Sequence, residues 1–150
     1  MKQLVLAACA TLCATSAFAE DAKTSALEIW RDAPMTVFSA EEIDLSAFLW
    51  QARPVVIFAN TAEDLRFQTQ LENLLSEEDD VVERDIVIIT DTDPAVLSPI
   101  RTALRPRDFH MVLIGKDGDV KLRKPRPWDM RELSRAIDKM PMRKREMGAQ

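Results

Sequence analysis

Residues Phe109 to Lys124, FHMVLIGKDGDVKLRK, decide the fold. Met111–Ile114 is an apolar run, Lys116-Asp117-Gly118-Asp119 supplies an Asp-Gly turn, and Val120 and Leu122 then alternate with charged neighbours. Asp-Gly between two such runs predicts a β-hairpin, with a type I′ turn that needs positive φ at both central residues. The first strand reads as buried on both faces. The second alternates and reads as a half-exposed edge strand.

Working outward, two more continuous apolar runs precede the hairpin: Pro54–Ala59 (PVVIFA) and Asp85–Thr90 (DIVIIT). Both are rich in β-branched residues and read as buried strands. Between them, Phe67, Leu71, Leu74 and Leu75 share one helical face. Thr61-Ala-Glu-Asp64 fits a capping box at the start of that helix, and Glu77–Asp80 predicts a frayed end. Ser98-Pro99 reads as an N-cap with proline at the first helical position, opening a short helix that Arg105-Pro106-Arg107 closes. Beyond the hairpin, Trp128-Asp129 opens a last helix with Met130, Leu133, Ile137 and Met140 on its buried stripe. Pro141 is expected to break it. Upstream, Leu45, Phe48, Leu49 and Trp50 form an apolar patch at helical spacing, Val37-Phe38 suggests a brief strand, and Ala26–Trp30 a short helix or docking tail.

The order strand, helix, strand, helix, strand, strand, helix predicts a parallel group with an antiparallel edge. That is an α/β, thioredoxin-like three-layer sandwich with a mixed sheet and a C-terminal hairpin. The expected division is a leader (1–19), an N-terminal extension (20–44), the thioredoxin-like domain (45–141) and a mobile basic tail (142–150).

Met1–Ala19 reads as a secretory signal. Lys2 is followed by an apolar stretch, and Ala17-Phe18-Ala19 precedes the acids Glu20-Asp21, placing cleavage between Ala19 and Glu20. The rival lipobox, Leu6-Ala7-Ala8-Cys9, leaves too few apolar residues before its cysteine. The expected setting is periplasmic or secreted, with no transmembrane segment in the mature protein. Both cysteines, Cys9 and Cys13, lie inside the leader, so the mature chain has no thiol chemistry.

Charge is unevenly spread. Residues 20–100 carry 18 acids and 5 bases, while residues 101–150 carry 14 bases and 7 acids. One consequence is mutual neutralisation across the folded surface. The other is an anionic partner, such as an envelope surface or polysaccharide, met by Lys121, Arg123, Lys124, Arg126, Arg143, Lys144 and Arg145. Nucleic acid is not expected, because the chain is acidic overall and lacks a recognition motif.

Four stretches together carry a family resemblance: Phe48–Ala59, Glu83–Ile88, Met111–Arg123 and Ile137–Arg143, the last with Met140-Pro-Met-Arg. They resemble the DUDES-type domain of unknown function over about residues 45–147. That family occurs alone in bacterial exported proteins and within animal extracellular-matrix and sushi-repeat proteins. The resemblance implies a thioredoxin-like fold without its redox site. The place of a Cys-x-x-Cys is held by Asn60–Asp64, and that of the cis-proline by His110.

The candidate site is therefore Asn60, Thr61, Glu63 and Asp64 with Phe109 and His110, at the sheet end where open α/β proteins hold ligands. For Asn60–Asp64 the plain reading is a helix cap, and for His110 a partly exposed strand residue. One His, no Cys and scattered carboxylates predict no metal site, and no cofactor motif is present. Asp91-Thr-Asp93 and Asp117-Gly-Asp119 read as turns. The expected function is a non-catalytic binding or adaptor domain for an envelope protein. The alternatives are an enzyme using His110 with Asp64 or Glu63, and attachment through the basic zone.

Overall fold

A computed structural model describes residues 25–149; the leader, its cleavage site and Gln150 lie outside them. The chain runs α1 (Ala26–Asp32), β1 (Val37–Ser39), a 3-10 turn (Leu45–Phe48), β2 (Arg53–Phe58), α2 (Leu65–Leu75), α3 (Glu78–Glu83) and β3 (Ile86–Asp91). It continues with α4 (Pro99–Leu104), β4 (His110–Ile114), β5 (Val120–Lys124), α5 (Met130–Asp138) and α6 (Pro141–Gly148).

The five strands form one mixed sheet in the order β1-β3-β2-β4-β5. β3 pairs in parallel with both β1 and β2, and β4 is antiparallel to β2 and β5. Strand alternation sends side chains to two cores. One holds Val55, Ile57, Ile88, Met111 and Leu113 under α2, α3 and α5. The other holds Val56, Phe58, Ile89, Val112 and Ile114 against α1, the 3-10 turn and α4. This is an α/β sandwich consistent with a thioredoxin-like fold.

The antiparallel entry of β4 departs from expectation. The chain leaves β3 at Asp91 and re-enters the sheet at the same end, with His110 opposite Phe58.

The hairpin forms in the expected place with a different turn. Only Gly118 has positive φ, at 83°, and Asp117 does not. The Gly118 N–H donates to the Gly115 carbonyl and the Gly115 N–H to the Asp119 carbonyl, both at 2.9 Å. This is a three-residue loop with a left-handed glycine, not a two-residue type I′ turn. β5 is the exposed edge, and a bulge lies between Leu113 and Ile114.

Four helical expectations change. α2 begins at Leu65 with Asp64 as its N-cap, the carboxylate accepting from the Arg66 N–H at 2.8 Å, so Thr61 caps nothing. Glu78–Asp80 do not fray α2; they open α3, where acids suit the positive end of the helix dipole. Of the Leu45–Trp50 patch only Phe48 is buried, and Trp50 is 64% exposed in the left-handed region (φ 63°), its N–H held by the Lys116 carbonyl at 2.7 Å. Pro141 does not end structure: it occupies the first turn of α6, which replaces the expected mobile tail. The segment expected as an extension also joins the body. β1 is an edge strand, and Trp30 is buried with its indole N–H donating to the Ile86 carbonyl at 3.1 Å.

Candidate functional site

The carboxyl ends of β2 and β3 and the start of β4 meet at one end of the sheet. A buried pair fixes this end. The Arg101 Nε donates to Asp91 Oδ1 at 2.8 Å, and its Nη2 donates to the Ala59 and Asp91 carbonyls at 2.8 and 3.0 Å. Ser98, whose hydroxyl caps α4 by accepting from the Arg101 N–H, donates that hydroxyl to Asp91 Oδ2 at 2.7 Å. The guanidinium also lies 5.5 Å from the Phe58 ring centroid. One side chain thus ties α4 to two strand termini.

Three of the six expected site residues, Asn60, Asp64 and Phe109, gather at this edge around Arg66. Arg66 donates through Nε and Nη2 to Asp64 at 3.0 and 2.6 Å, and through Nη1 to Asp108 Oδ2 at 2.9 Å. Asn60 Nδ2 donates to the other oxygen of Asp108 at 3.3 Å. The guanidinium lies 5.6 Å from the Phe109 ring centroid, itself buried. Hydrogen bonding from Arg66 holds both Asp64 and Asp108 below the usual carboxylate range. The same contacts, Asp64 first, raise Arg66. Thr61 and Glu63 pair with each other in the exposed turn, and the Thr61 hydroxyl lowers Glu63.

His110 stands apart. It precedes Val112 and Ile114 on the α4 side of the sheet and sits opposite Phe58 of the same core. Phe109, and the Arg66 cluster above it, lie on the α2 side. His110 Nδ1 is buried without a hydrogen-bond partner. No hydrogen bond or ion pair joins His110 to Asp64 or Glu63 among the described residues, so the pairing expected for an enzyme does not form. Among the described residues no three His, Cys, Asp or Glu side chains converge as metal ligands.

The basic zone divides in two. Its inner part is neutralised by long-range pairs. Arg143 is buried and donates to Glu83 Oε1 at 2.5 Å and to Asp138 Oδ1 at 3.4 Å, which removes it from the expected anion contacts. Arg84 holds Asp138 at 2.9 Å and Asp80 at 2.7 Å. Arg53 is 1% exposed at the start of β2 and donates from Nη2 to both oxygens of Glu146 at 2.9 Å. Lys116 reaches Asp85 and Glu146 at 2.7 and 3.0 Å. Burial acts to raise Asp138 and Glu146. It is outweighed by Arg84 and Arg143 at Asp138 and by Lys116 and Arg53 at Glu146, so both stay below the ordinary carboxylate value.

The outer part carries its charge to solvent. Lys121 is paired to Asp117 at 2.6 Å. Arg123 donates to the Leu104 carbonyl at 2.7 Å, and Lys124 lies 3.9 Å from the Trp128 ring centroid. Arg126, Lys144 and Arg145 are exposed. Arg131 and Arg135 on α5 and Lys139 at its C-cap recur every four residues, all exposed, and make no ion pair among the described residues.

The sequence reading missed Arg66, Asp108 and this α5 stripe. A helical wheel from Asp129 would have shown the stripe. An arginine two residues after an N-cap Asp was the local sign of Arg66.

The fold and these two surfaces define a small α/β domain whose candidate edge is closed by its own ion pairs and whose C-terminal third carries exposed positive charge. The chain belongs to the family described as a domain of unknown function (DUF4174), whose model matches residues 44–146.

Proposed function

We propose that this protein is an exported, non-catalytic binding domain that attaches to an anionic envelope surface through the exposed cations between Arg123 and Arg145. One observation carries the reading. Arg131, Arg135 and Lys139 form an exposed stripe with no ion-pair partner among the described residues, while Asp138 and Glu146 in the same stretch of chain are engaged by Arg84, Arg143 and Arg53. Export rests on the signal-like Met1–Ala19, and the DUDES-type resemblance supports the same setting. The non-catalytic part is supported by the edge chemistry, since Asp64 and Asp108 hold Arg66 and the lone histidine faces the other core.

The test is cosedimentation of the mature chain with phosphatidylglycerol vesicles across a salt series. Binding is expected to weaken steeply with salt, as exposed charges are screened beyond about 10 Å at 0.1 M. The triple variant Arg131→Ala/Arg135→Ala/Lys139→Ala removes about 3 kcal/mol of attraction, roughly a hundredfold in affinity. Binding that ignores salt, or a triple variant that binds like wild type, refutes the attachment. Measurable insulin reduction by the purified protein refutes the non-catalytic reading.

A further inference from the structure

We infer that the cleft between the β4–β5 turn and the α5–α6 junction is a binding site for one tetrahedral oxyanion, a phosphate or sulfate group. The cleft has a volume of about 210 Å³, and Arg53, Lys116, Lys121 and Arg145 contribute to its wall. Asp117 is the carboxylate on that wall. Asp85 and Glu146 stand behind it, bonded to Lys116 and Arg53. Lys121 also lies 3.6 Å from Asp119, so four cations meet four carboxylates, and the opening for an anion is Arg145, the one of the four with no ion-pair partner among the described residues.

The donors are held in place before any ligand arrives. Arg53 is fixed by the bidentate Glu146 contact and by its Nη1 donating to the Arg84 carbonyl at 2.9 Å. Lys116 uses two of its three ammonium donors on Asp85 and Glu146 and keeps one. Lys121 is shared with Asp117 in an exposed pair, the kind that contributes little and is readily shared. Arg145 has no ion-pair partner among the described residues, which leaves its planar fork of donors open to a bidentate oxyanion contact. The same wall includes Met140, Pro141 and Met142, where α6 begins without a side-chain cap.

This arrangement differs from the α5 stripe in kind. The stripe is flat, exposed and suited to an extended polyanion. The cleft is concave, has a buried arginine at its base, and admits a compact group. It stands without the attachment reading.

The experiment is titration of the mature chain with inorganic phosphate, followed by amide chemical shifts and matched against sodium chloride at equal ionic strength. Saturable shifts are expected at residues 115–121 and 140–145, and not with chloride. Lys121→Ala/Arg145→Ala, two exposed positions, is expected to keep the wild-type spectrum elsewhere and to weaken phosphate binding at least tenfold. Arg131→Ala/Arg135→Ala leaves phosphate binding unchanged, even if it abolishes vesicle binding, so the two proposals fail separately. Competition by glycerol phosphate assigns a free phosphate ester. Competition by phosphatidylglycerol vesicles assigns a lipid headgroup. Non-saturating shifts, shifts spread along Arg131–Lys139, or an unaffected double variant overturn the site.

Discussion

Replacing Arg101 by methionine tests how the candidate edge is built. Arg101 and Asp91 are 7% and 6% exposed, so the substitution strands a buried carboxylate with the Ser98 hydroxyl as its remaining donor. It also removes the side-chain donor from the Ala59 and Asp91 carbonyls. Breaking a buried ion pair from one side costs about 3–5 kcal/mol, because the remaining charge stays desolvated. Against a total of about 5–15 kcal/mol that is a large fraction. It corresponds to a fall in Tm of about 10–20 °C at this chain length. Urea unfolding followed by far-UV circular dichroism reads the change as a lower midpoint at constant slope. The double variant Arg101→Met/Asp91→Leu should lie closer to wild type than Arg101→Met does, since it removes the stranded charge as well. An Arg101→Met protein within about 1 kcal/mol of wild type would show that water reaches Asp91 and would refute the reasoning. So would a double variant less stable than the single.

Three further outcomes are expected. Gly118→Ala places a Cβ 2.8 Å from Leu49 Cδ2 at a φ of 83°, and its urea midpoint should fall by the equivalent of about 1–2 kcal/mol; Gly148→Ala, with open space around it, should not destabilise. Trp30→Phe keeps the ring in the second core but loses the donor to Ile86, for a loss of about 1 kcal/mol in the same assay. Asp138 and Glu146 have folded pKa values below their unfolded ones. Their contribution is complete above the ordinary carboxylate range, about pH 4, and is lost as pH falls through the folded values, so amide exchange in α6 should accelerate there before the sheet opens.

The sheet was readable wherever burial writes itself into consecutive residues. Val55–Phe58, Ile86–Ile89 and Met111–Ile114 are apolar because both faces are covered, and Asp117-Gly118 marks the reversal between β4 and β5. What local windows could not carry were decisions made across the chain. Arg53 stands just before the apolar run of β2 with no local sign of a partner, and that partner, Glu146, is 93 residues away. Met142–Arg145 looked like a tail because its anchors, Glu83 and Asp138, lie in other elements. The direction of β4 turns on which end of the sheet the chain re-enters, which a pattern of apolar positions does not encode. At the candidate edge, Asn60, Asp64 and Phe109 were placed together correctly, while Arg66, the side chain that joins them, carried no apolar signal. His110 joins the acids in the sequence analysis because it holds the place of the cis-proline, and strand alternation turns it to the opposite face.

The Arg53–Glu146 contact has a consequence for incomplete chains. A guanidinium lies inside the central strand, and its carboxylate arrives on the last helix. A copy truncated before Glu146 keeps every residue of the sheet but leaves the Arg53 guanidinium with only the Arg84 carbonyl at 2.9 Å and the looser Asp85 contact at 3.8 Å, a defect in the core and not the loss of an appendage.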